Sequence, residues 1–483
     1  MFMKKKSFEV KYEIQEQFWD EMFETSEKIR PHYQTLAKEL ENSETKNLDK
    51  KEELSKQLFE SQGVTFTVYN HGDGVEKIFP YDIIPRIIEA VEWAHIERGI
   101  KQRLKALNLF LKDIYHDQFI IKDGIVPADL VYSCPHFLKE MVGLKVPHDI
   151  YIHIAGVDLI RNNDGKFYVL EDNLRTPSGV SYVLENRAIS KRIFPSLFPK
   201  SNVKSVSNYP NLLYKKLEEL ALDKTQNPTV VLLTPGMYNS AYYEHATLAR
   251  LMGVELVEGN DLVVKDHFLY MKTIAGLIKV DVLYRRVDDE FLDPLYFNPT
   301  SILGVPGIMS VYQKGNVVIV NAPGTGIADD KATYSYVPDM IKYYLDEEPI
   351  LENIKTYQLG NPDDLKYVLE NIKTMVVKQT NGSGGYGMLM GFSASDKEIK
   401  EFIEIILKNP RLYIAQPTIK LSTSPCLING ELTPRCVDLR PFAISGIDGV
   451  DLIPGGLTRV ALKKGSLVVN SSQGGGSKDT WVL

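Results

Sequence analysis

The sequence predicts a protein of mixed α+β and α/β class, and three local patterns lead to this prediction. Residues 151–173 hold two strand-like apolar runs separated by Asn-Asn-Asp-Gly, a pattern typical of a β-hairpin. From residue 228 a buried strand, a helix stopped by glycine and a further strand follow one another, which indicates a parallel α/β layer. Residues 375–391 place a glycine-rich loop between two strand-like runs. Strands and helices therefore alternate along much of the chain.

Composition and hydrophobic periodicity divide the chain into four predicted domains. At about 150 residues per domain, 483 residues suit two to four domains. The predicted domains are an N-terminal helical segment (1–62), a helical region that leads into the hairpin (63–225), an α/β domain (226–325) and a lobe that holds the glycine loop and the C-terminal strands (326–483).

The first two domains are predicted in more detail from periodicity and turn residues. Residues 1–62 carry apolar residues at helical spacing, with a break expected near Pro31. Residues 63–70 alternate between apolar and polar positions, as a strand does. Residues 81–117 are predicted to be helical, with a stop at Gly99.

The glycine-rich segment near the C-terminus has two possible roles. Residues 471–478 are of low complexity, and a flexible surface tail is the prediction for them. Glycine-rich turns also approach ligands closely, so a phosphate contact from Lys478 is the alternative.

The composition excludes several functional classes. Hydrophobic residues make up 44% and charged residues 25% of the chain, as in ordinary globular proteins. A net charge of −7 argues against general nucleic-acid binding, and three cysteines without CxxC spacing argue against a zinc site or a disulfide framework. No run approaches the roughly 18 apolar residues of a membrane helix, and the N-terminus lacks the apolar core of a signal peptide. We therefore expect a cytoplasmic protein without nucleic-acid or membrane partners.

The glycine loop at residues 382–387 is the first candidate binding site. It fits the pattern G-x-G-x-x-G, but strand-like residues follow it where a dinucleotide-binding turn would open a helix. A strand–loop–strand flap of this kind can direct backbone amides at phosphates, and Lys378 lies on its incoming strand. The candidate residues are Lys378, Gly382, Ser383, Gly384, Gly385, Tyr386 and Gly387. A plain glycine-rich hairpin is the alternative, and no Walker or protein-kinase motif is present.

The end of the hairpin is the second candidate, as a magnesium half-site. Glu171 and Asn173 are two residues apart and therefore share one face of a strand, whereas Asp172 faces the other way. Asp158 lies on the partner strand within cross-strand reach. Two carboxylates and an amide oxygen are the hard ligands that Mg²⁺ prefers. A solvated strand end with an asparagine that caps the turn is the alternative.

Other polar residues lie where strands end and could join such a site. Arg175 follows the hairpin, where a guanidinium could stabilise charge on a transferring phosphoryl group, and Lys331 precedes a helical segment although helix starts disfavour cations. Gln416 interrupts an apolar strand that could present polar groups to an adenine edge. The remaining candidates, for substrate carboxylates or phosphates, are Arg285, Arg286 and Arg440.

The combination of these motifs resembles the ATP-grasp superfamily with its two halves in permuted order. It is most similar to the circularly permuted ATP-grasp type 2 family, related to glutathionylspermidine-synthetase-like enzymes, over residues 63–483. The matching stretches are GVTFTVYN, FPYDIIPRII, GVDLIR, LEDNLRTPSGVSYVLENR, LYRRVDDEFLDP, NAPGTGIADDK, VKQTNGSGGYGM, DLRPFA and SSQGGGSKDTWVL. The resemblance implies a permuted ATP-grasp fold with an N-terminal helical extension.

The resemblance also implies roles for the candidate residues. ATP would lie between two lobes, with Lys331 and Lys378 on its phosphates, the loop at 382–387 above them and Gln416 beside the adenine. The hairpin residues Asp158, Glu171 and Asn173 would hold one or two Mg²⁺ ions. Such enzymes usually phosphorylate a carboxylate, and an amine then attacks the acyl phosphate to give an amide. Small-molecule or peptide acids and amines are therefore the expected substrates.

One departure from the related enzymes leaves the acyl-transfer step open. Glutathionylspermidine synthetases carry an arginine two residues before the metal aspartate, and this chain has Gly156 there. Arg161 or Arg175 is expected to substitute as a catalytic arginine. The alternative functions are an ATP-binding regulatory or scaffold protein and a small-molecule kinase without ligase activity.

Overall fold

The architecture was taken from a computed structural model that describes residues 12–43, 45–70, 73–222, 227–382, 387–463, 465–469 and 475–483. The helices are α1 (Gln34–Asn42), α2 (Thr45–Ser61), α3 (Ala90–Ile114), α4 (Phe119–Lys122), α5 (Ala128–Ser133), α6 (Val180–Ile193), α7 (Leu197–Ser201), α8 (Tyr209–Glu219), α9 (Tyr242–Met252), α10 (Asp289–Leu292), α11 (Ile308–Gln313), α12 (Lys331–Tyr334), α13 (Val337–Leu345), α14 (Pro362–Glu370) and α15 (Asp396–Lys408).

The strands alternate with these helices along the chain. They are β1 (Phe23–Thr25), β2 (Lys28–Ile29), β3 (Thr65–Asn70), β4 (Asp73–Ile78), β5 (Tyr81–Ile88), β6 (Ile154–Arg161), β7 (Phe167–Asn173), β8 (Val230–Leu233), β9 (Glu255–Val257), β10 (Leu262–Lys265), β11 (Phe268–Thr273), β12 (Gly276–Lys279), β13 (Val282–Arg285), β14 (Val318–Val320), β15 (Glu352–Asn353), β16 (Tyr357–Gln358), β17 (Met375–Gln379), β18 (Leu389–Met390), β19 (Tyr413–Pro417), β20 (Thr423–Ile428), β21 (Glu431–Arg440), β22 (Phe442–Gly446), β23 (Gly449–Leu452), β24 (Leu457–Val460) and β25 (Gly476–Val482).

A large mixed sheet forms the centre of the protein. Its main path runs β15-β7-β6-β21-β24-β25-β5, with β20 beside β21 and the pair β22–β23 beside β6. The predicted hairpin is confirmed, because β6 and β7 pair antiparallel with Asp158 opposite Glu171. Strands from the predicted second and fourth domains thus share one sheet, so residues remote in sequence meet on its surface.

Two smaller sheets flank the central one. The strands β14-β13-β8-β9 form a parallel sheet, which confirms the α/β layer predicted from residue 228. The strands β16-β19-β17-β18 form an antiparallel sheet that carries the glycine loop between β17 and β18. Each of these sheets brings loops to the edge of the central sheet.

The helix predicted for residues 81–117 is wrong in its first part. Residues 81–88 form the buried strand β5, parallel to β25, and Pro85 falls where the register of the two strands shifts. Proline removes a hydrogen-bond donor, so a ladder irregularity accommodates it better than a helix interior does. Helix α3 then runs through Gly99 without a stop. The glycine serves packing here, because a larger side chain at this position would collide with Leu351.

The N-terminal prediction is corrected in part. Residues 34–42 and 45–61 are helical, as expected after Pro31, but the described residues before it form turns and the short hairpin β1–β2. Met22 is buried next to Asp20, whose carboxylate accepts hydrogen bonds from the backbone amides of Met22 and Phe23. Such local side-chain bonds favour a turn over a helix.

The prediction of a flexible surface tail is also wrong for the described part of that segment. Gly476–Val482 form β25, buried between β24 and β5, and Trp481 is fully buried there. Lys478 Nζ lies 3.1 Å from Asp82 Oδ1 and donates to the carbonyl of Pro425, so this ammonium is not a phosphate contact. Residues 471–474 lie outside the described residues.

Helices cover both faces of the central sheet. Apolar residues of α3 and α13 pack on one face, and those of α1, α6 and α8 pack on the other. Every residue of β6 is buried as a result, so a carboxylate such as Asp158 requires polar partners there. Within the described ranges we find no helix with the length and apolar character of a membrane span.

Candidate functional site

A cleft with a volume of about 550 Å³ opens where the three sheets meet. It is lined by β7 and the segment after it, the start of α9, the start of α12, β17 to β19, and residues of β21 and β24. These elements come from three of the four predicted domains. The cleft has an apolar end, a strongly charged middle and a polar end.

The hairpin supplies the oxygen ligands expected for a cation. Glu171 and Asn173 line the cleft from the same face of β7. The amide nitrogen of Asn173 donates to the carbonyl of Gly156 at 3.2 Å, which leaves the amide oxygen free for another partner. Asp172 faces away as predicted, and both of its oxygens accept from the Arg103 guanidinium at 2.6 and 2.8 Å.

The two predicted phosphate-binding lysines lie in the same cleft. Lys331 is the first residue of α12, and its Nζ lies 4.0 Å from Glu171 Oε2. Lys378 Nζ donates to Gln416 Oε1 at 2.9 Å. Burial lowers the pKa of Lys378, Glu171 opposes this effect and the neighbouring ammonium of Lys331 adds to it. The structure therefore brings together lysines and carboxylates from distant parts of the chain.

Asp158 lies beneath these groups in a network of arginines. Its carboxylate is fully buried and accepts from Arg440 Nη2 at 2.8 Å and from Arg459 Nη2 at 2.7 Å. Burial alone would raise the pKa of Asp158, but the two guanidinium groups hold it well below its ordinary value. Arg459 also binds Asp438 through Nε at 2.9 Å. Two cations and two carboxylates thus alternate in one buried network.

The arginine that is missing at position 156 comes from a neighbouring strand. The side chain of Arg440, at the end of β21, crosses the backbone of Gly156, and a Cβ built at Gly156 would lie 3.2 Å from Arg440 Cδ. Glycine at this position therefore leaves room for Arg440 to reach Asp158. Neither Arg161 nor Arg175, the substitutes predicted from the sequence, occupies this place.

We asked whether these residues fit the Mg²⁺ ion that the sequence prediction requires. Among the described residues no group of three or more His, Cys, Asp and Glu could hold a metal, so a cation site here has at most two ligands of these types. Glu171 and Asn173 both direct oxygens to the cleft and fit. Asp158 is fully buried, and its carboxylate is bound by Arg440, Arg459 and Glu171, so it would have to exchange one of these bonds to join a cation. Glu171 and Asn173 therefore fit one Mg²⁺, with Asp158 behind Glu171.

Two predicted arginines lie outside the cleft and are corrected here. Arg161 is buried at the far end of β6, where its Nη2 lies 2.8 Å from Glu92 and its guanidinium stacks on Phe167. Arg285 donates to three backbone carbonyls and pairs with Asp289 at 2.7 Å. Their partners hold chain segments together, so neither guanidinium is available to a ligand.

The other two arginines do line the cleft. Arg175 pairs with Asp329 at 3.1 Å beside the charged middle. Arg286 is buried, donates to the carbonyl of Pro177 at 2.6 Å and pairs with Glu244 at 3.2 Å. Both are therefore held in place by the protein rather than free to swing.

The apolar end of the cleft is a slot suited to a planar ring. Its walls are Leu170, Val376, Met388, Met390, Pro417, Ile419, Leu421, Leu467 and Val469. Gln416 sits at the floor, but both ends of its amide are used, by Lys378 and by Thr356 Oγ1 at 3.0 Å. Polar contacts to a ring would thus come from the backbone next to Gln416 rather than from its side chain.

The described ends of the glycine loop, Gly382 and Gly387, lie beside β17 and β18. Gly382 lines the cleft, and its carbonyl accepts from Lys331 Nζ. Gly387 has a φ of +66°, a left-handed conformation that favours glycine. Ser383, Gly384, Gly385 and Tyr386 lie outside the described residues.

Sequence reasoning missed several residues of the site. Asp438 and Arg459 line the cleft and complete the network around Asp158. Asp438 stands two residues before Arg440 on one strand, so the alternation of side chains across β21 was the available signal. Glu244 and His245 were missed because they lie inside an ordinary amphipathic helix, α9.

Comparisons with known proteins agree with this architecture. The chain matches the family model described as "Circularly permuted ATP-grasp type 2" over residues 85–461. An uncharacterised protein of Synechocystis sp. is 54% identical, over 96% of this chain and 97% of that protein. A Frankia alni protein, named "Putative glutamate--cysteine ligase 2-3", is 40% identical over 96% of this chain and 54% of its own length.

A solved structure shows a similar fold. It is the apo form of a glutathione synthetase-like effector from Globodera pallida, with a TM-score of 0.60, 12% identity, and coverage of 91% of this chain and 98% of that chain. At this identity the similarity concerns the fold alone. Together with the family match, it confirms the fold class predicted from the sequence, and the chain belongs to the circularly permuted ATP-grasp type 2 family.

Proposed function

We propose that this protein is an ATP- and Mg²⁺-dependent carboxylate–amine ligase that acts through an acyl phosphate. The observation that carries the proposal is the meeting of Glu171 with Lys331 at 4.0 Å, beside Lys378 and above the arginine network of Asp158. The carboxylates come from β6 and β7, whereas the lysines come from α12 and β17, more than 150 residues later in the chain. A cleft with an apolar slot next to clustered cations and carboxylates suits the base and the phosphates of a nucleotide.

The charge of the cleft supports phosphoryl transfer. Four cations, Lys331, Lys378, Arg440 and Arg459, face three carboxylates, Asp158, Glu171 and Asp438. One positive charge is thus left over before a ligand enters. A buried ammonium with a lowered pKa, as at Lys378, gains from an incoming polyanion because the polyanion replaces the solvation that burial removed.

The proposed reaction has two steps. A substrate carboxylate oxygen attacks the γ-phosphorus, the bond to the leaving ADP oxygen breaks, and an acyl phosphate forms. The nitrogen of an amine then attacks the acyl carbon, phosphate leaves, and the amine loses a proton to give an amide. Bound Mg²⁺ would supply charge neutralisation at the phosphates. Glu171 and Asn173 would hold it, and Asp158 would join them on exchanging one of its present bonds.

The protein's own residues position and stabilise the charges in both steps. Lys331 and Lys378 would hold the β- and γ-phosphates, and the guanidinium of Arg440 would stabilise the charge that develops on the transferring group. Arg175 and Arg286 line the neighbouring part of the cleft and would orient the acid. Because a relative is named a glutamate–cysteine ligase, amino acids are the substrate class that we would test first.

The proposal is tested by measuring ADP release with ATP, Mg²⁺ and pairwise panels of amino acids and simple amines. We expect release with a matched acid and amine, and loss of at least 100-fold in kcat/KM in Glu171→Ala and Lys378→Ala. Matched controls are Glu352→Ala and Lys373→Ala, two exposed residues outside the cleft that should retain activity.

The pattern of release separates the alternatives. ADP release that requires an acid but no amine, with a phosphorylated acid as product, would indicate a small-molecule kinase. Nucleotide binding by calorimetry without release on any panel would indicate a regulatory or scaffold protein. Equal activity in both site variants and the wild type would refute the site itself.

A further inference from the structure

The polar end of the cleft has a cradle that ATP and Mg²⁺ do not account for. It is formed by Asn239, Ser240 and Ala241 and by the first turn of α9, which includes His245. Residues 178–179 connect this cradle with the charged middle of the cleft. On one side, Arg440 Nη1 donates to the carbonyl of Ser178 at 3.3 Å, and on the other side Glu244 accepts from the amide of Gly179 at 2.7 Å. A second substrate would therefore lie next to the phosphates.

His245 is the central group of this cradle. Its side chain is only 1% exposed, yet it lines the cleft. The ring Nδ1 lies 2.9 Å from Thr234 Oγ1, which also accepts from the amide of Gly236 at 3.2 Å and still has its own proton to donate. In the tautomer in which Thr234 donates to Nδ1, the ring proton is on Nε2, which has no hydrogen bond to a described residue.

The charge state of His245 decides what it can do. Burial first, and the neighbouring Arg286 second, lower the pKa of His245 to about 2, so the ring is neutral at physiological pH. A base this weak cannot take a proton from an ammonium substrate. It can donate one hydrogen bond from Nε2 into the cleft, which indicates an acceptor group on the ligand.

Backbone donors lie at the start of α9, the helix that carries His245. The amides of Tyr243 and Glu244, in the first turn of α9, have no backbone acceptor among the described residues, whereas the amide of Ala241 is bound by Asn239 Oδ1 at 2.9 Å. The start of a helix of 11 residues favours a negative group through these amides. Glu244 itself is turned away from the cradle to Gly179 and Ser181.

The balance of charge argues against a phosphate in this cradle. The cations Arg175 and Arg286 in this part of the cleft are paired with Asp329 and Glu244, and Asp288 adds a further negative charge. No positive charge is left over for a dianion. Neutral donors in a pocket of this kind suit a single negative charge shared by two oxygens.

We propose that this cradle binds the unreacted carboxylate of an amino-acid substrate, with His245 Nε2 and the first amides of α9 as donors. The inference rests on the proposed ligase function, in which a second group of the substrate reacts beside Lys378. The cradle belongs to the parallel sheet and α9, whereas the phosphate contacts come from β7, α12 and β17, and both sets of residues line the same cleft.

The test compares each of the twenty amino acids with its carboxamide by calorimetry, on the full chain saturated with a non-hydrolysable ATP analogue. We expect at least one amino acid to bind and its carboxamide to bind at least 10-fold more weakly. His245→Leu should weaken the acid by at least 10-fold and leave the nucleotide Kd unchanged. His245→Gln, which retains a donor near Nε2, should stay within about 3-fold of the wild type, consistent with one hydrogen bond.

Structural damage is controlled by a matched variant. His153→Leu removes another buried histidine that does not line the cleft, and it should not change the acid-to-amide ratio. The inference is overturned if the carboxamide binds as well as the acid, if His245→Leu binds the acid like the wild type, or if none of the twenty binds. A preserved acid-to-amide ratio without ADP release would overturn the ligase function instead, so the two failures differ.

Discussion

The ion pair between Arg440 and Asp158 should be one of the strongest interactions of the site, and its energy can be measured. Asp158 is fully buried and Arg440 is only 13% exposed, so water screens the pair weakly. Breaking a buried pair typically costs 3–5 kcal/mol, but Arg459 would still bind Asp158 after the loss of Arg440. We therefore expect Arg440→Met to lower the free energy of unfolding by about 2–3 kcal/mol.

A double-mutant cycle isolates this interaction from other effects of the substitutions. The free energy of unfolding is measured by urea denaturation for Arg440→Met, Asp158→Asn and the double variant. Because Asp158→Asn removes the charge that Arg440 binds, the two losses should fail to add by about 2 kcal/mol. The double variant should therefore be only slightly less stable than either single variant.

A control on the same strand gives the outcome that would contradict this reasoning. Arg435 is also buried on β21, but it donates to backbone carbonyls and has no described carboxylate partner. Arg435→Met should add to Asp158→Asn within about 0.5 kcal/mol. If the losses of Arg440→Met and Asp158→Asn also add within about 0.5 kcal/mol, Arg440 does not stabilise Asp158.

Three further predictions follow from the described contacts. Gly156→Ala places a Cβ 3.2 Å from Arg440 Cδ and should lower kcat of ADP release by about 10-fold. It should also lower the melting temperature, but less than Arg440→Met does, measured by steady-state assay and calorimetry. Lys478→Met leaves the buried carboxylate of Asp82 without its ion-pair partner and should lower the free energy of unfolding by about 3–5 kcal/mol. The nucleotide affinity should stay within 3-fold of the wild-type value. Burial lowers the pKa of His153 from 6.5 to about 4. As the pH falls, the histidine is therefore protonated in the unfolded state before it is protonated in the folded state. The free energy of unfolding should decrease by about 3 kcal/mol from pH 6.5 to pH 4. Denaturation of His153→Leu across the same range should lack this part of the slope.

The hairpin and the lysines of the site were accessible from the sequence because each depends on local rules. Alternation along a strand places Glu171 and Asn173 on one face whatever the partner strand is. The turn Asn-Asn-Asp-Gly fixes the hairpin, so the position of Asp158 follows from it. These features require only a few consecutive residues.

The errors of prediction concern residues whose environment is set by distant segments. The isoleucines at 83, 84, 87 and 88 fit a helical stripe as well as a buried strand, and β25, which decides between them, lies about 400 residues away. Arg459 looks like an ordinary strand residue until β24 is placed beside β21. Lys478 likewise becomes a core residue only when Asp82 meets it across β5 and β25. Tertiary pairing, rather than local propensity, determines such positions.

The position of β25 has a consequence for the synthesis of this protein. Among the described strands β5 pairs only with β25, so this edge of β5 stays uncovered until β25 has left the ribosome. At about 5–20 residues per second, the wait between the two strands is on the order of 20–80 seconds. During that time the nascent chain exposes an unpaired apolar strand, which makes β5 a segment prone to aggregate until β25 is synthesised.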